Sequence, residues 1–392
     1  MMGRGLRRNS LAASPVEPAR SVADHVRLRL VAASAGRCEF RGCNKDLYTH
    51  PVTRTHGNFS EAAHIVAFRR EGPRGAGNRP AVINSFLNLM LLCKDCHHLI
   101  DMNPEAYPVA VLQEFKTEHE ARICALTALG PEYQTMVIQL RAAIGGQAVD
   151  ISGDDIRDAL LPKYPARLPG SVIDLTGIQR ENPAFFELAR DQVRRELRAV
   201  LRTDVNGKRI QHYSVFALAP IPLLVCFGRE FGDKLSAEVF QRHREAPFWK
   251  WRTEGIPTEY EIKVRHAGLG SDNAGLILSL SGTVTDASLP LGVVGTSPLY
   301  EITLRDREPN RDFLLRRDDL LRFRRVYREA LAMIAKTHDT VKELYLFAAV
   351  PAAIAVACGQ ELLPKFHPDL VVHDNVKGTF RPAITINTTG DL

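Results

Sequence analysis

The sequence predicts two parts: an α+β N-terminal module organised around metal ligands, followed by a larger α/β domain made of two related halves. Three observations carry this. Four of the seven cysteines fall in two close pairs within the first quarter of the chain, Cys38 with Cys43 and Cys93 with Cys96. Net positive charge is confined to the same stretch: the first 100 residues hold 15 Lys and Arg against 7 Asp and Glu, and the remainder holds 36 against 38. A segment near residue 215 recurs at one offset of 131 residues.

The chain of 392 residues, 45% hydrophobic and 24% charged, has material for two or three domains with proper cores. No apolar run approaches the roughly 18 to 20 residues a membrane span needs. The basic start lacks an apolar stretch of signal-peptide length, so a cytoplasmic location is expected and a membrane partner is not. Cys124, Cys226 and Cys358 stand alone, and an odd, uneven set of cysteines suits metal binding better than a disulfide framework. A basic segment that also carries such a cluster points to a polyanion, because phosphate contacts supply most sequence-independent affinity.

Residues 1–20 mix Arg, Ser, Ala and Pro without periodicity and read as a flexible basic arm. Residues 22–35 carry apolar residues at helical spacing, stopped by Gly36. Pro108 opens a helix in which Val111, Leu112, Phe115 and His119 lie three or four apart, closing module 21–130 near Gly130 and Pro131. A further helix is expected near residues 133–144, inside a helical connector spanning 131–169. Beyond it, domain 170–392 divides into halves of about 170–290 and 291–392. The repeat pairs Phe216 with Phe347, Pro220 with Pro351, Gly228 with Gly359 and Lys234 with Lys365. Each copy reads as a buried strand, a Pro opening a short helix, a Gly closing it, and another strand. Each is preceded by a long amphipathic helix, over 185–201 and 318–336, with strands at 172–175 and 300–304 opening the halves. Duplicated α/β units pack about a pseudo-twofold axis, and ligands lie at the carboxyl ends of their strands.

Two thiolate pairs aimed at one ion make a closed tetrahedral site, which is structural because no position is left for substrate. Between the pairs stands His64 in EAAHIVAF, and after a loop rich in Gly, Pro and Arg comes NLMLLCKDCHHLID, with Asn88 before a strand and His97 opening a helix. With GRCEFRGC, AHI, N-x4-C-x2-C-H and H-x-L-x-D in order, residues 37–101 resemble the HNH, or ββα-metal, endonuclease family. The resemblance implies a zinc held by Cys38, Cys43, Cys93 and Cys96, and a catalytic triad of His64 as base, Asn88 and His97. Asn88 in the family either braces the loop bearing the base or helps hold the metal. His97 and Asp101, four apart on one helix face, can reach one Mg2+ or other divalent ion. Many members carry Asp or His just before the base, where this chain has Ala63. Either Glu61 or Asp101 substitutes, or the ion has fewer protein ligands and more water. Arg69, Arg70, Arg74 and Arg79 are expected to hold flanking phosphates, and His50, His56 and His119 to be structural or surface residues.

Hydrolysis of a phosphodiester needs a base for the attacking water and positive charge beside the leaving oxygen. A histidine, with an ordinary pKa near 6.5, supplies the first at neutral pH.

The C-terminal part, from VFALAPIPLLVCFG through APFWKWR to LLPKFHPDLVVHD, resembles the SAVED sensor domain, a fusion of two CARF-like, Rossmann-type halves found in bacterial anti-phage signalling. That resemblance implies an activator, a cyclic di- or trinucleotide made by a partner nucleotidyltransferase. An HNH module joined to a SAVED module looks like the nuclease effector of CBASS immunity. Because one module cuts one strand, destroying double-stranded DNA needs two, and two similar halves can meet head to tail, so a ligand-induced homo-oligomer is expected. For the ligand, Trp249, Trp251 and Tyr300 offer stacking faces, and Lys250, Arg252, Lys234 and Lys365 offer phosphate contacts. Either tryptophan could equally be core. In an extended segment Trp249 and Trp251 share one face, with Lys250 and Arg252 on the other. Two other readings stay open: a restriction-type HNH endonuclease whose C-terminal half recognises DNA, and a zinc-containing DNA-binding regulator without catalysis. The acidic balance of the C-terminal part speaks against the first, and His64 with Asn88 against the second.

Overall fold

The computed structural model describes residues 21–386 apart from residues 78, 145–146, 148–149, 205–209, 269–271 and 364–365. The arm at 1–20 and Lys365 therefore lie outside the described residues. The chain forms two compact units, Met1–Leu129 and Gly130–Leu392.

In the first unit, helix α1 (Asp24–Ser34) ends where Ala35 and Gly36 take left-handed conformations. Strands β1 (Ser60–His64) and β2 (Leu89–Cys93) pair antiparallel, setting Ser60 opposite Cys93 and His64 opposite Leu89. All five residues of β2 are buried, so the hairpin has a fixed place in a small core with Leu30, Ile65, Ile100 and Leu112. Helix α2 (Lys94–Met102) follows β2 without a break, completing the ββα unit. Helix α3 (Val109–Thr127) begins after Pro108, as expected. Its His119 is buried and donates from Nε2 to the Ser34 carbonyl at 3.1 Å, which ties α3 to the end of α1.

The second unit holds two sheets. The first contains β3 (Gln134–Arg141), β4 (Tyr164–Pro165), β5 (Ser171–Asp174), β6 (Tyr213–Leu218) and β7 (Ala237–Phe240), all parallel, with α4 (Gly153–Leu160), α5 (Phe185–Leu201) and α6 (Ile221–Phe231) between them. The second contains β8 (Tyr260–His266), β9 (Asn273–Ser279), β10 (Leu299–Leu304), β11 (Glu343–Ala349), β12 (Asp369–Val376) and β13 (Thr379–Ile386), with α7 (Arg317–Thr337) and α8 (Ala352–Gln360). The halves share one parallel order, β5-β3-β6-β7 and β10-β9-β11-β12. Antiparallel strands β8 and β13 flank only the second.

Two expectations need correcting. Residues 134–141 are not a helix in a connector but the central strand β3, hydrogen-bonded on both edges and buried along most of its length. Strands also precede the expected opening strands at 172–175 and 300–304: β3 and β4 come before β5 in the first sheet, and β8 and β9 before β10 in the second.

The repeat is real in space, and its glycines do something other than close helices. A Cβ on Gly228 would lie 2.0 Å from the Val356 carbonyl oxygen, and one on Gly359 would lie 1.9 Å from the Val225 carbonyl oxygen. Val225 and Val356 are themselves 131 residues apart, as are the two glycines. The contact is therefore reciprocal: α6 and α8 cross backbone to backbone about a local twofold, each supplying the glycine that lets the other approach. One apolar core runs through both halves around this crossing.

Candidate active site

The site in the first unit is built on the β1–β2 hairpin and α2. Asn88 is buried, and its side chain is spent on backbone: Oδ1 accepts from Val66 N–H at 2.9 Å, while Nδ2 donates to the Val66 and Ile83 carbonyls at 3.0 and 2.9 Å. Of the two family roles, the geometry matches bracing of the segment after His64. The His64 ring, half-buried and edge-on to Phe68 at 5.8 Å, points Nε2 at Asn84 Oδ1, 2.9 Å away. Asn84 was not singled out by sequence; its only cue is its place in the N-x3-N leading into β2.

On α2, His97 is held from both sides. Its Nδ1 lies 2.6 Å from Glu61 Oε2, and its Nε2 lies 3.5 Å from Asp101 Oδ2. Ligating histidines commonly pass their second ring proton to a carboxylate, which fixes the tautomer. Glu61, reached from β1, stands in that orienting place, and His97 Nε2 and Asp101 Oδ2, 3.5 Å apart, are the two atoms here that could share a divalent ion. The carboxylate suits Mg2+ or Mn2+ and the imidazole a borderline ion such as Zn2+ or Ni2+, so the pair fits a divalent cation without selecting one.

Two of the four loop arginines are not phosphate contacts. Arg74, with a side chain only 4% exposed, donates to the Ile65 carbonyl at 2.8 Å and the Ile100 carbonyl at 2.7 Å, and pairs with Asp101 Oδ1 at 2.9 Å. It thereby links the residue after His64 to the helix bearing His97. Arg79 donates to the Ala67 and Phe68 carbonyls. Arg69 and Arg70 are exposed.

The four cysteine sulfurs all lie within 4.8 Å of one another. A tetrahedron with 2.3 Å metal–sulfur bonds has edges of about 3.8 Å, so the cluster fits a zinc ion after small side-chain turns. Cys43 and Cys93 already stand 3.9 Å apart, and Cys93 N–H points at Cys38 Sγ. Burial pushes the Cys38 thiol up to about 12, and a bound cation is what turns such thiols into thiolates.

In the second unit a cavity of about 350 Å³ opens at the carboxyl ends of β7, β10 and β11. Arg242, Arg244, Arg252 and Arg311 line it, against Glu245 and Asp312, and Pro351 at the start of α8 closes one side. His243, also in its wall, is buried, with no hydrogen-bond partner for Nε2. Trp251 stands edge-on to it at 5.9 Å, its own Nε1–H likewise unpaired. Both atoms are buried among protein, so they stand as unpaired polar groups behind the cavity wall.

The other residues expected at a ligand divide. Trp249 is 2% exposed and packs on Phe216 in the core, and Tyr300 is 4% exposed with its hydroxyl on His338 Nε2. Both rings are covered by protein and have no face for a base. Lys250 is exposed outside the cavity wall, and Lys234 sits between α6 and β7, at the opposite, amino-end edge of the sheet. The sequence missed Arg242, His243, Arg244 and Arg311, which lie on loops whose proximity only the sheet order creates.

The first unit thus joins a thiol cluster to a ββα unit with a histidine before the loop and a His/Asp pair on the helix; the second unit is a duplicated α/β domain with a cationic pocket. Residues 38–103 match the family model of the HNH endonucleases, and residues 193–386 match that of SAVED, described as the SMODS-associated and fused to various effectors sensor domain. The chain thus carries an HNH endonuclease domain at its N-terminal end and a SAVED domain at its C-terminal end. Among solved structures it is similar to the Acinetobacter baumannii Cap4 SAVED/CARF-domain containing receptor with the cyclic trinucleotide 2'3'3'-cAAA, at 13% identity and a TM-score of 0.45, covering 73% of this chain and 67% of that one. It is also similar to the Moraxella osloensis Cap4 receptor, at 11% identity and a TM-score of 0.37, covering 74% of this chain and 60% of that one. No curated protein matches the chain. Among the described residues no helix is long and apolar enough to cross a membrane.

Proposed function

We propose that this protein is a DNA endonuclease of bacterial anti-phage (CBASS) defence, cutting double-stranded DNA when a cyclic di- or trinucleotide occupies its SAVED domain. The observation that carries the reading is the presence, in one chain, of an HNH site with its base braced and of an arginine-lined pocket at the carboxyl edge of a duplicated sensor fold.

In this reading His64 takes the proton of the attacking water through Nδ1, the ring nitrogen not engaged by Asn84. His97 and Asp101 would hold Mg2+ or another divalent ion, which supplies positive charge beside the leaving oxygen. Glu61 keeps the His97 ring turned toward that position, and Arg74 keeps Asp101 and the base segment in fixed relation. Exposed Arg69 and Arg70 meet flanking phosphates. Zinc on the four cysteines is structural. In the pocket, Arg242, Arg244, Arg252 and Arg311 meet the phosphates of the messenger. Ligand binding favours a homo-oligomer that brings two nuclease modules to nearby phosphates on opposite strands. The site of action is the cytoplasm, where a partner nucleotidyltransferase makes the messenger.

The test is incubation of purified protein with plasmid and Mg2+, alone and with a panel of cyclic di- and trinucleotides. Linearisation and degradation with one or a few of the panel, and none without, is the expected result. Equal cleavage with and without every member would refute messenger control.

A further inference from the structure

We propose that Asn84 is a positioning residue for the catalytic base, holding His64 in the one neutral tautomer that leaves Nδ1 free to accept a proton. The inference rests on the reading of His64 as the base.

Two asparagines four residues apart approach the base segment from different sides. Asn88 holds backbone, at Val66 and Ile83, and so fixes where the segment after β1 runs. It makes no contact with the imidazole and leaves the ring free to turn about its own side-chain bonds. Asn84 supplies what is missing: its Oδ1 stands 2.9 Å from His64 Nε2. An amide oxygen only accepts hydrogen bonds, so the nitrogen facing it carries the hydrogen. A neutral imidazole has one such hydrogen, and the lone pair that can act as base is then confined to Nδ1.

The fold makes the contact possible. Register sets His64 opposite Leu89, so the chain just before β2 passes beside the end of β1, and Asn84 lies in that approach, ahead of the single turn Phe86–Asn88. Phe68 closes a further side of the ring at 5.8 Å. Asn84 is only partly buried, so its side chain has no large packing role. A neutral amide also suits this place, since it fixes the proton without placing a negative charge beside a site that must receive phosphate.

The experiment uses the full zinc-loaded chain labelled with 15N-histidine, at a pH where His64 is neutral. Long-range proton–nitrogen correlations identify which ring nitrogen carries hydrogen, and the His64 signals are those lost in His64→Ala. The wild-type ring is expected to show hydrogen on Nε2 alone. Asn84→Leu should give a mixture of tautomers and lower kcat for plasmid cleavage on the order of a hundredfold, the scale of a misplaced general base, with KM unchanged. Asn84→Asp, which keeps an accepting oxygen, should restore the single tautomer. Zinc content and melting temperature are followed in parallel, and Asn84→Ser replaces Asn84→Leu should the latter be unstable. Hydrogen on Nδ1 in the wild type, or an unchanged tautomer with kcat within twofold in the Leu and Ser variants, would overturn the proposal. If the wild type cuts no DNA under any condition, the tautomer measurement still decides Asn84, and the nuclease reading is what fails.

Discussion

The crossing of α6 and α8 can be tested by adding one carbon. In Gly228→Ala the new Cβ would stand 2.0 Å from the Val356 carbonyl oxygen, where carbon and oxygen need more than 3.0 Å, so the helices must part by about 1 Å. Helix backbones cannot yield locally as a flexible side chain could. Overpacking of this kind costs about 1–3 kcal/mol, against which alanine returns up to about 1 kcal/mol of helix propensity. A net loss of about 2 kcal/mol would lower the melting temperature of a unit this size by roughly 4–8 °C. Gly359→Ala, 1.9 Å from the Val225 carbonyl, should behave alike because it is the same contact seen from the other half. The double variant should lose less than the sum, since the helices separated for one carbon already make room for the other. Thermal unfolding followed by circular dichroism, with zinc present throughout, reads all three. Unchanged or raised melting in either single variant would show that the helices do not meet in this way.

His64→Ala should abolish cleavage while keeping about one zinc per chain, whereas Cys93→Ser should lose zinc and soluble protein together; metal analysis beside a plasmid assay separates the two. Arg74→Leu should destabilise the first unit by about 1–3 kcal/mol, the scale for leaving the buried Ile65 and Ile100 carbonyls unpaired, and Arg74→Lys should not rescue it, since lysine has no planar fork to span two carbonyls and a carboxylate. Arg252→Ala should weaken binding of the activating cyclic nucleotide with little change in melting, whereas Trp249→Ala should cost about 3–5 kcal/mol of stability. Burial holds His373 down at about 4, so the unfolded chain binds a proton more readily than the folded one. Its share of stability is complete above the unfolded value near 6.5 and falls away as pH drops from there toward 4, by about 3 kcal/mol in all. His373→Phe should remove that part of the acid sensitivity, which denaturation midpoints at pH 7 and pH 4.5 will show.

What the sequence made legible was whatever the chain keeps close together. The cysteine pairs, His64 before its loop, and the His97/Asp101 step on one helix are short-range spacings; the structure brings the four sulfurs together and sets His97 beside Asp101 on α2. The repeat was legible because close helix crossing tolerates only glycine at two equivalent positions. Strand β3 was misread because a strand buried on both faces has no alternation, and its apolar residues also satisfy a helical spacing. Tyr300 and Trp249 look in sequence like any ring that might stack, and only packing shows their faces covered. Arg74 reads in sequence as one more phosphate-holding arginine of the loop, and only its three partners show it turned inward. Asn84 and the pocket arginines depend on contacts that the sheet order brings about across long stretches of chain.

The reciprocal glycine contact has the form of an interface between two identical subunits, yet both partners here belong to one polypeptide. Their encounter is governed by the length of the connecting chain rather than by protein concentration, so the seam stays closed at any dilution. Identity between the partners is then no longer required away from the axis. The second half could gain β8 and β13 without the first doing so, and the pocket could draw Arg242 and Arg244 from one half and Arg311 from the other. A symmetric hinge line thus supports an asymmetric mouth, and each half can change its wall of the pocket without disturbing the contact that holds them together.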